Sequence, residues 1–381
     1  MKVLFIVSDF LAGGITSSLR NLTKTLLDHG VEVHILNLPN KSLPQGFDSR
    51  IKMINLQGRA RLWNLSISDV KSAKFFKKIK LLFIGIVKKF LNRKERWFNL
   101  VFKNLKLKSY DVAVGFRQSP ICFYLATRKV CAKKKIGFWH GDIDYMGDVS
   151  GWTYFFNELD SLACVSNAVG EGVANKYPDI KEKVKTVYNY VDVEQIKSSS
   201  NAEGLGFSKD TFNIVTVARV SFEDKMLQRI PEMAKKLVLQ GCNFVWRIVG
   251  DGKDFNSLRK KIADKGLEDA VILCGQQQNP YEYMKQSDLF VLTSKTESFG
   301  MVVLESLICN TPVVAGEYPA LKEIIEDGRT GIIAENSTEG ICQAVYKMMT
   351  DKDFYAQIKQ NVLQYQYDEE LVYNQFMEML K

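Results

Sequence analysis

The chain has 381 residues, of which 46% are hydrophobic and 25% are charged, and its formal net charge is +9. This length exceeds one ordinary hydrophobic core and predicts two domains, while the composition excludes a disordered chain. The seven cysteines are scattered without a Cys-x-x-Cys pair and only three histidines occur, which argues against a disulfide framework or a metal centre and favours reduced thiols in a cytoplasmic protein.

Strands and helices alternate along the first half of the chain. Residues 3–7 form an apolar run that predicts a buried strand directly after Met1-Lys2, so no signal peptide is expected. A helix is predicted after Gly13-Gly14, ending at His29-Gly30. Further apolar runs that predict strands lie at 31–36, 112–114, 136–138 and 162–165.

The second half repeats this alternation after a small, polar stretch at 197–206, which is the best candidate for a linker. A helix is predicted at 227–240, and no apolar run approaches the ~20 residues that span a bilayer. Strands are predicted at 212–217, 245–249, 271–274 and 289–292. Two such series predict an α/β protein with two Rossmann-like, doubly wound parallel sheets, whose ligands bind at the carboxyl ends of strands.

Several residues at those strand ends are candidate ligand contacts. Gly13 and Gly14 follow the first strand and open a helix, where the backbone can approach a phosphate. Arg219 and Lys225 follow the strand at 212–217, and two converging cations would neutralise a pyrophosphate. His140 closes an apolar run and can hydrogen-bond a sugar hydroxyl. Taken one at a time, such residues are more often surface cations, ordinary glycine turns or a structural histidine.

Residues 296–305 place two carboxylates on either side of a predicted helix start. Glu297 lies in the loop before the helix, and Glu305 lies one turn inside it. Gly300 allows close approach of the backbone, and the amides that begin at Met301 attract an anion. A phosphate between two carboxylates that reach hydroxyl groups is what a nucleotide sugar requires. The alternative is an ordinary strand, loop and helix with surface acids.

The positive charge is concentrated in the first half of the chain. Residues 1–200 carry 32 Lys and Arg against 17 Asp and Glu, and residues 71–108 carry 13 basic residues with Glu95 as the single acid. Phenylalanines and Trp97 are interleaved with these charges, a pattern that suits an anionic membrane surface. The alternative is a core-packed helix with solvated lysines. Nucleic-acid binding is disfavoured because no nucleic-acid-binding motif accompanies the basic residues.

Taken together, these motifs resemble the family 4 retaining glycosyltransferases, also called glycosyltransferase group 1, which have the GT-B fold. The Glu-x7-Glu motif matches Glu297 and Glu305, and the Arg-x5-Lys pair matches Arg219 and Lys225. The resemblance implies an N-terminal acceptor domain that faces the membrane, a C-terminal nucleotide-sugar domain, and a last helix that returns to the first domain. The expected boundaries are 1–198, 199–364 and 365–381.

The resemblance also implies a role for each candidate residue. Glu305 would bind the ribose, while Glu297 and His140 would contact the transferred sugar as the catalytic pair. No metal or cofactor is expected. The donor diphosphate would be bound by Gly13, Gly14, Arg219, Lys225, Gly300 and Met301.

The function expected from the resemblance is transfer of a hexose from a nucleotide-diphosphate donor, first of all a UDP-sugar, with retention of configuration. The acceptor would be a glycan or a lipid-linked sugar in bacterial surface polysaccharide synthesis, reached from the inner face of the cell membrane through residues 71–108. Alternatives are a GT-B sugar-nucleotide epimerase and a non-catalytic membrane-surface binder of sugar nucleotides.

Overall fold

The structure is a computed structural model that describes residues 1–10, 13–39, 42–64, 94–143, 149, 152–199 and 205–380. The expected membrane-surface segment is therefore described only from residue 94, and residues 71–93 lie outside the described part. In the part of the chain that is described, no helix is long and apolar enough to cross a membrane.

The chain forms two compact units. The first contains Met1–Val165, Gly170–Tyr190 and Tyr373–Lys381, and the second contains Ser166–Val169 and Val191–Val372. The boundaries and roles expected for the domains stay predictions.

The start of the expected linker is helical. Lys197 lies in helix Val193–Ser199, where Asp192 accepts a hydrogen bond from the Gln195 amide over 2.8 Å and Ile196 is buried. An N-terminal cap and a buried apolar side chain explain why this polar segment is helical. Residues 200–204 of the expected linker lie outside the described part.

The first unit contains a parallel sheet. Its described strands are β1 Lys2–Val7, β2 Glu32–Asn37, β3 Lys52–Asn55, β4 Tyr110–Gly115, β5 Ala132–Trp139, β6 Ser161–Cys164 and β7 Val184–Thr186. They pair in the order β3-β2-β1-β4-β5-β6-β7, and Val3 of β1 lies beside Val33 and Val112. Continuous apolar strands of this kind are typical of parallel sheets that are covered on both faces.

The second unit contains another parallel sheet. Its strands are β8 Phe212–Val217, β9 Phe244–Val249, β10 Val271–Gly275, β11 Leu289–Leu292, β12 Val313–Gly316 and β13 Gly331–Ala334. They pair in the order β10-β9-β8-β11-β12-β13. The two sheets confirm the predicted α/β fold with two Rossmann-like domains.

Helices alternate with the strands along the described chain. Their bounds are Gly14–Asp28, Lys94–Val101, Pro120–Arg128, Thr153–Glu158, Asn167–Lys176, Val193–Ser199, Arg229–Leu239, Phe255–Ala263, Tyr281–Gln286, Met301–Ile308, Thr338–Thr350, Lys352–Leu363 and Glu369–Glu378. Short 3-10 helices lie at Gly58–Leu62, Pro178–Lys183 and Pro319–Glu323.

Helix Gly14–Asp28 shows why the pattern forms helices. It buries Leu19, Leu22 and Leu26 on one face, which is the three- and four-residue spacing of an amphipathic helix. The sequence predicts that this helix follows Gly13-Gly14 and ends at His29-Gly30; it begins at Gly14 and ends at Asp28, with Gly13 and His29 as its caps.

Each sheet reverses its strand order at one point, between β1 and β4 in the first unit and between β8 and β11 in the second. Open parallel sheets bind ligands beyond the carboxyl ends of strands at such switch points. In the second unit, Arg219 follows β8 and Glu297 follows β11. The fold thus brings two of the predicted site residues to one switch point.

Candidate functional site

Two loops lie at the switch point of the second sheet. Residues 218–226, the cation loop, follow β8 and carry Arg219 and Lys225. Residues 293–300, the acidic loop, follow β11 and carry Glu297. Because β8 and β11 are neighbours in the sheet, the two loops leave the sheet side by side.

Hydrogen bonds join the two loops. The Thr293 hydroxyl donates to the carbonyl of Lys225 over 2.7 Å. The Lys295 amide donates to the carbonyl of Asp224 over 2.9 Å. Thr293 is fully buried, so its hydroxyl depends on this bond for a partner. The position of one loop therefore fixes the position of the other.

Lys225 and Glu297 meet in the site. The Lys225 Nζ contacts Oε1 of Glu297, and the Ser294 hydroxyl donates to the same oxygen over 2.7 Å. The two charged side chains are 21% and 17% exposed, so they form a partly buried pair that a ligand can still reach. Two donors on one carboxylate oxygen fix the orientation of the carboxylate.

Arg219 has a different partner. Its Nη2 lies 2.5 Å from Oδ2 of Asp224, and its side chain is 68% exposed. Partial burial acts to raise the pKa of Asp224, but hydrogen bonds from Ser221 and Arg219 outweigh it and the pKa is lowered. The guanidinium is thus held at the rim of the cation loop, with much of its surface open to an incoming anion.

Two glycines after β9 let the backbone approach the cation loop. A Cβ on Gly250 would lie 2.0 Å from the Ala218 carbonyl oxygen, and one on Gly252 would lie 2.3 Å from that of Val220. The Val220 amide donates to the carbonyl of Asp251 over 3.0 Å. The distances of 2.0 and 2.3 Å from the two added Cβ atoms to the carbonyl oxygens are too short for any side chain. The path of the cation loop therefore requires glycine at both positions.

Gly300 begins helix Met301–Ile308. Its φ of 101° lies in the left-handed region, and a Cβ there would lie 2.3 Å from the buried Tyr318 hydroxyl. The first helical turn contains no acidic residue. The helix start therefore presents backbone amides with no carboxylate of its own to compete with an anion.

Glu305 lies further along the same helix and is only 9% exposed. Burial raises the pKa of the neighbouring Cys309 to about 12, and the charge of Glu305 adds to this effect. The structure thus joins Lys225 to Glu297 directly, pairs Arg219 with Asp224, and places Glu305 on the helix that Gly300 begins.

The remaining predicted residues lie in the first unit. Gly13 has a φ of 139° and begins helix Gly14–Asp28. Its carbonyl accepts hydrogen bonds from the amides of Thr16 and Ser17 over 3.1 and 3.2 Å. This backbone conformation favours glycine, which explains the first residue of the Gly13-Gly14 pair.

His140 follows β5 and is buried. Its Nε2 lies 2.7 Å from the carbonyl oxygen of Phe116, and its Nδ1 has no hydrogen-bond partner in the described residues. Burial lowers the pKa of His140 to about 3, and the charge of Arg117 contributes to the lowering. A carbonyl can only accept, so the neutral ring carries its proton on Nε2 and leaves Nδ1 as an acceptor for a hydroxyl group.

Groups that could bind a metal are dispersed. Among the described residues, no cluster of three or more His, Cys, Asp or Glu side chains could hold a metal ion. The cysteines are free thiols, and Cys131 is exposed. Burial raises the pKa of Cys122 to about 11 and that of Cys164 to about 12.

Sequence reasoning missed several residues of the site. Thr293 and Ser294 directly follow β11, so the strand-end argument that selected Glu297 could have selected them. Asp224 directly precedes Lys225, but a pattern of two converging cations does not indicate a role for an acid between them. No sequence pattern near Tyr318 indicated a role, because its hydroxyl lies close to Gly300 only in the folded protein. Burial and the charge of Glu297 raise the pKa of Tyr318 well above its usual value.

Comparison with known proteins shows which families, relatives and solved structures resemble this chain. Residues 197–365 match the family model described as "Glycosyl transferases group 1". The N-acetyl-alpha-D-glucosaminyl L-malate synthase of Bacillus anthracis is 26% identical over 273 residues, which cover 67% of this chain and 68% of that protein.

Another relative comes from Campylobacter jejuni and is 28% identical over 189 residues, covering 48% of each chain. It is the N-acetylgalactosamine-N,N'-diacetylbacillosaminyl-diphospho-undecaprenol 4-alpha-N-acetylgalactosaminyltransferase.

Solved structures show the same fold over the whole chain. HepE of Anabaena, solved in complex with UDP and glucose, is similar with a TM-score of 0.71 and 17% identity, covering 100% of this chain and 99% of that one. The resemblance inferred from the Glu-x7-Glu and Arg-x5-Lys motifs is thereby confirmed. Residues 197–365 match the model of the group 1 glycosyl transferases, and the protein is a glycosyltransferase with the GT-B fold.

Proposed function

We propose that the protein transfers a hexose from a nucleotide-diphosphate donor, first of all a UDP-sugar, to a hydroxyl group with retention of configuration. The observation that carries this proposal is the contact between Lys225 and Glu297 at the switch point of the second sheet. It puts a cation suited to a diphosphate beside a carboxylate suited to sugar hydroxyls. The likeness to HepE, which was solved with UDP and glucose, supports the choice of donor.

The diphosphate is the group that Arg219, Lys225 and the helix start recognise. When the bond from the anomeric carbon to the phosphate oxygen breaks, negative charge grows on the departing diphosphate. Two cations and the amides at Gly300 and Met301 stabilise that charge without a metal ion. Arg219 is accessible to the diphosphate because its side chain is 68% exposed.

The two carboxylates have separate tasks. Glu297 has Oε1 occupied by Lys225 and Ser294, so its other oxygen is directed to the hydroxyls of the transferred sugar. Glu305, further along helix Met301–Ile308, accepts from the ribose hydroxyls. The acceptor oxygen bonds to the anomeric carbon on the face that the diphosphate leaves, and the acceptor proton passes to a diphosphate oxygen.

His140, Gly13 and Gly14 are further candidate donor contacts in this proposal. His140 accepts a hydrogen bond from a sugar hydroxyl through Nδ1, which has no partner among the described residues. The backbone at Gly13 and Gly14 contacts phosphate. Neither contact requires a cofactor.

The acceptor is a membrane-associated glycan or lipid-linked sugar of bacterial surface polysaccharide synthesis. Residues 71–108, with 13 basic residues and one acid, hold the enzyme on the inner face of an anionic membrane, since each basic residue near such a surface contributes roughly 1 kcal/mol. Leu100, Lys103 and Lys106 of this segment line a cavity of about 730 Å³. The Campylobacter relative, whose name includes diphospho-undecaprenol, supports an acceptor of this class.

The donor half of the proposal is tested by incubating the protein with a panel of nucleotide sugars and measuring nucleotide release. Arg219→Ala and Lys225→Ala should each lower turnover by about 10²-fold, because each removes a cation that stabilises the negative charge growing on the diphosphate. Lys236→Ala is the matched control, since Lys236 pairs with Glu339 on the surface and should keep turnover. Normal turnover in both site variants would place the diphosphate elsewhere.

The membrane half is tested by flotation with liposomes of stated composition. Binding should require anionic lipid, weaken with salt, and fall when Lys74, Lys77, Lys78 and Lys80 are changed to Glu. Equal binding to neutral and anionic vesicles would contradict the electrostatic account, and no binding to either would favour an acceptor free in solution.

A further inference from the structure

Asn336 lies two residues after β13 and reaches the acidic loop. Its Nδ2 donates to the carbonyls of Ser294, Lys295 and Glu317 over 3.2, 3.0 and 3.1 Å. Its Oδ1 accepts from Nη1 of Arg229 over 2.6 Å. A guanidinium can only donate and carbonyls can only accept, so these partners fix the orientation of the amide.

Arg229 completes the support. Its Nη1 donates to the carbonyl of Thr293 over 3.2 Å, and its Nη2 donates to the carbonyl of Asn336 over 3.2 Å. No carboxylate in the described part of the chain forms an ion pair with it, and burial lowers its pKa. The guanidinium is therefore committed to neutral partners of the acidic loop and of Asn336.

These bonds hold three consecutive carbonyls, those of residues 293–295, from one side. From the other side, the Thr293 hydroxyl and the Lys295 amide bond to the cation loop. The segment between them carries Ser294, whose hydroxyl holds Oε1 of Glu297. A chain of contacts thus runs from Asn336 through the backbone to the carboxylate that meets Lys225.

We propose that Asn336, together with Arg229, is a positioning residue that sets where Glu297 stands against Lys225. It acts through the backbone of residues 293–295 and the Ser294 hydroxyl, and it does not touch the substrate. The inference rests on the proposed function, because it assigns the position of Glu297 a role in sugar transfer.

The test is Asn336→Asp, which keeps the size of the side chain and an acceptor for Arg229. The carboxylate loses the donors to three carbonyls and faces them with negative charge instead. We expect kcat to fall by about 10²-fold, the effect of a misplacement near 1 Å. The Kd for UDP should rise by a smaller factor than kcat falls, because Glu305 lies on a separate helix and the cation loop is tied to residues 293–295 by only two hydrogen bonds among those described.

Asn361→Asp is the matched control. Its Nδ2 also donates to a backbone carbonyl, that of Arg329 over 3.0 Å, but away from the acidic loop. We expect this variant to keep both kcat and UDP affinity. If UDP affinity fell by the same factor as kcat in Asn336→Asp, the residue would support the whole site rather than position Glu297, and the inference would be overturned.

A second variant keeps the inference testable if Asn336→Asp does not fold. Ser294→Ala removes only the last link, so it should lower kcat with unchanged UDP affinity. Combined with Asn336→Asp in a folded protein, it should add little further loss, whereas additive losses would indicate independent roles. A wild-type kcat in either variant overturns the inference alone, while an unsubstituted protein that turns over no nucleotide sugar overturns the proposed function as well.

Discussion

Replacing Gly300 by alanine should destabilise the second unit through two separable effects. The residue has a φ of 101°, and a left-handed conformation costs an L-residue roughly 1–2 kcal/mol. The added Cβ would also lie 2.3 Å from the Tyr318 hydroxyl, and overpacking of this kind costs typically ~1–3 kcal/mol. Gly300→Ala should therefore lower the free energy of unfolding by about 2–5 kcal/mol in total.

Two further variants separate these effects. Tyr318→Phe removes the clashing oxygen and leaves the next atom, Cζ, at 3.4 Å from the added Cβ, so it should recover the overpacking part of the loss. Gly266→Ala is the matched control, because Gly266 has a φ of 63° with nothing within 4 Å of an added Cβ. That variant should lose only the roughly 1–2 kcal/mol of the left-handed conformation.

Amide hydrogen exchange in the buried strand Leu289–Leu292 measures the free energy of opening of this unit. A single unfolding transition measured for the whole chain cannot report the stability of this unit alone, because the protein has two units. The reasoning is refuted if Gly300→Ala loses no more stability than Gly266→Ala, or if adding Tyr318→Phe to Gly300→Ala restores none of the lost stability.

Three other predictions concern the site and the thiols. Glu305→Ala should chiefly weaken UDP binding, whereas Glu297→Gln should chiefly lower turnover. If the two variants bound UDP equally well and had equal turnover, neither proposed role would stand. The pKa of His140 is about 3 in the folded protein and near 6.5 in the unfolded chain. Between these pH values the unfolded chain binds a proton at His140, whereas the folded protein does not. Stability should fall toward acid by up to about 1.4 kcal/mol per pH unit between those values, and His140→Gln should flatten that slope in unfolding measured against pH. The exposed Cys131 should react first with a thiol reagent, and fast labelling of buried thiols in the native protein would contradict their burial; those thiols are Cys122, Cys164, Cys309 and Cys342.

The central strands could be predicted because burial makes them continuous apolar runs. Leu289–Leu292 and Phe212–Val217 have the predicted bounds, and helix Arg229–Leu239 lies within the predicted 227–240. Strands β3 and β7 were missed, since they are short strands at the two edges of the first sheet. Their exposed residues, Lys52 and Lys185, blur the apolar pattern, as charged residues on edge strands commonly do.

The site could be predicted only as far as the strand-end rule reaches. That rule puts Lys225 and Glu297 at one edge, although they are 72 residues apart. It says nothing about which atoms meet, so the hydroxyl of Ser294 could not be assigned to the carboxylate. Arg229 and Asn336 are 107 residues apart, and neither showed a pattern that would have paired them.

The glycines at 250 and 252 have a consequence for attempts to vary the cation loop. They let the backbone of the turn after β9 pack against the carbonyl groups of Ala218 and Val220. The path of the cation loop is therefore set by contacts between backbone atoms. A mutant library that varies the side chains of 219–225 can therefore alter charge and reach while the loop keeps its path. Any library that randomises Gly250 or Gly252 will mostly yield proteins in which Arg219 has been displaced, whatever residue is selected there.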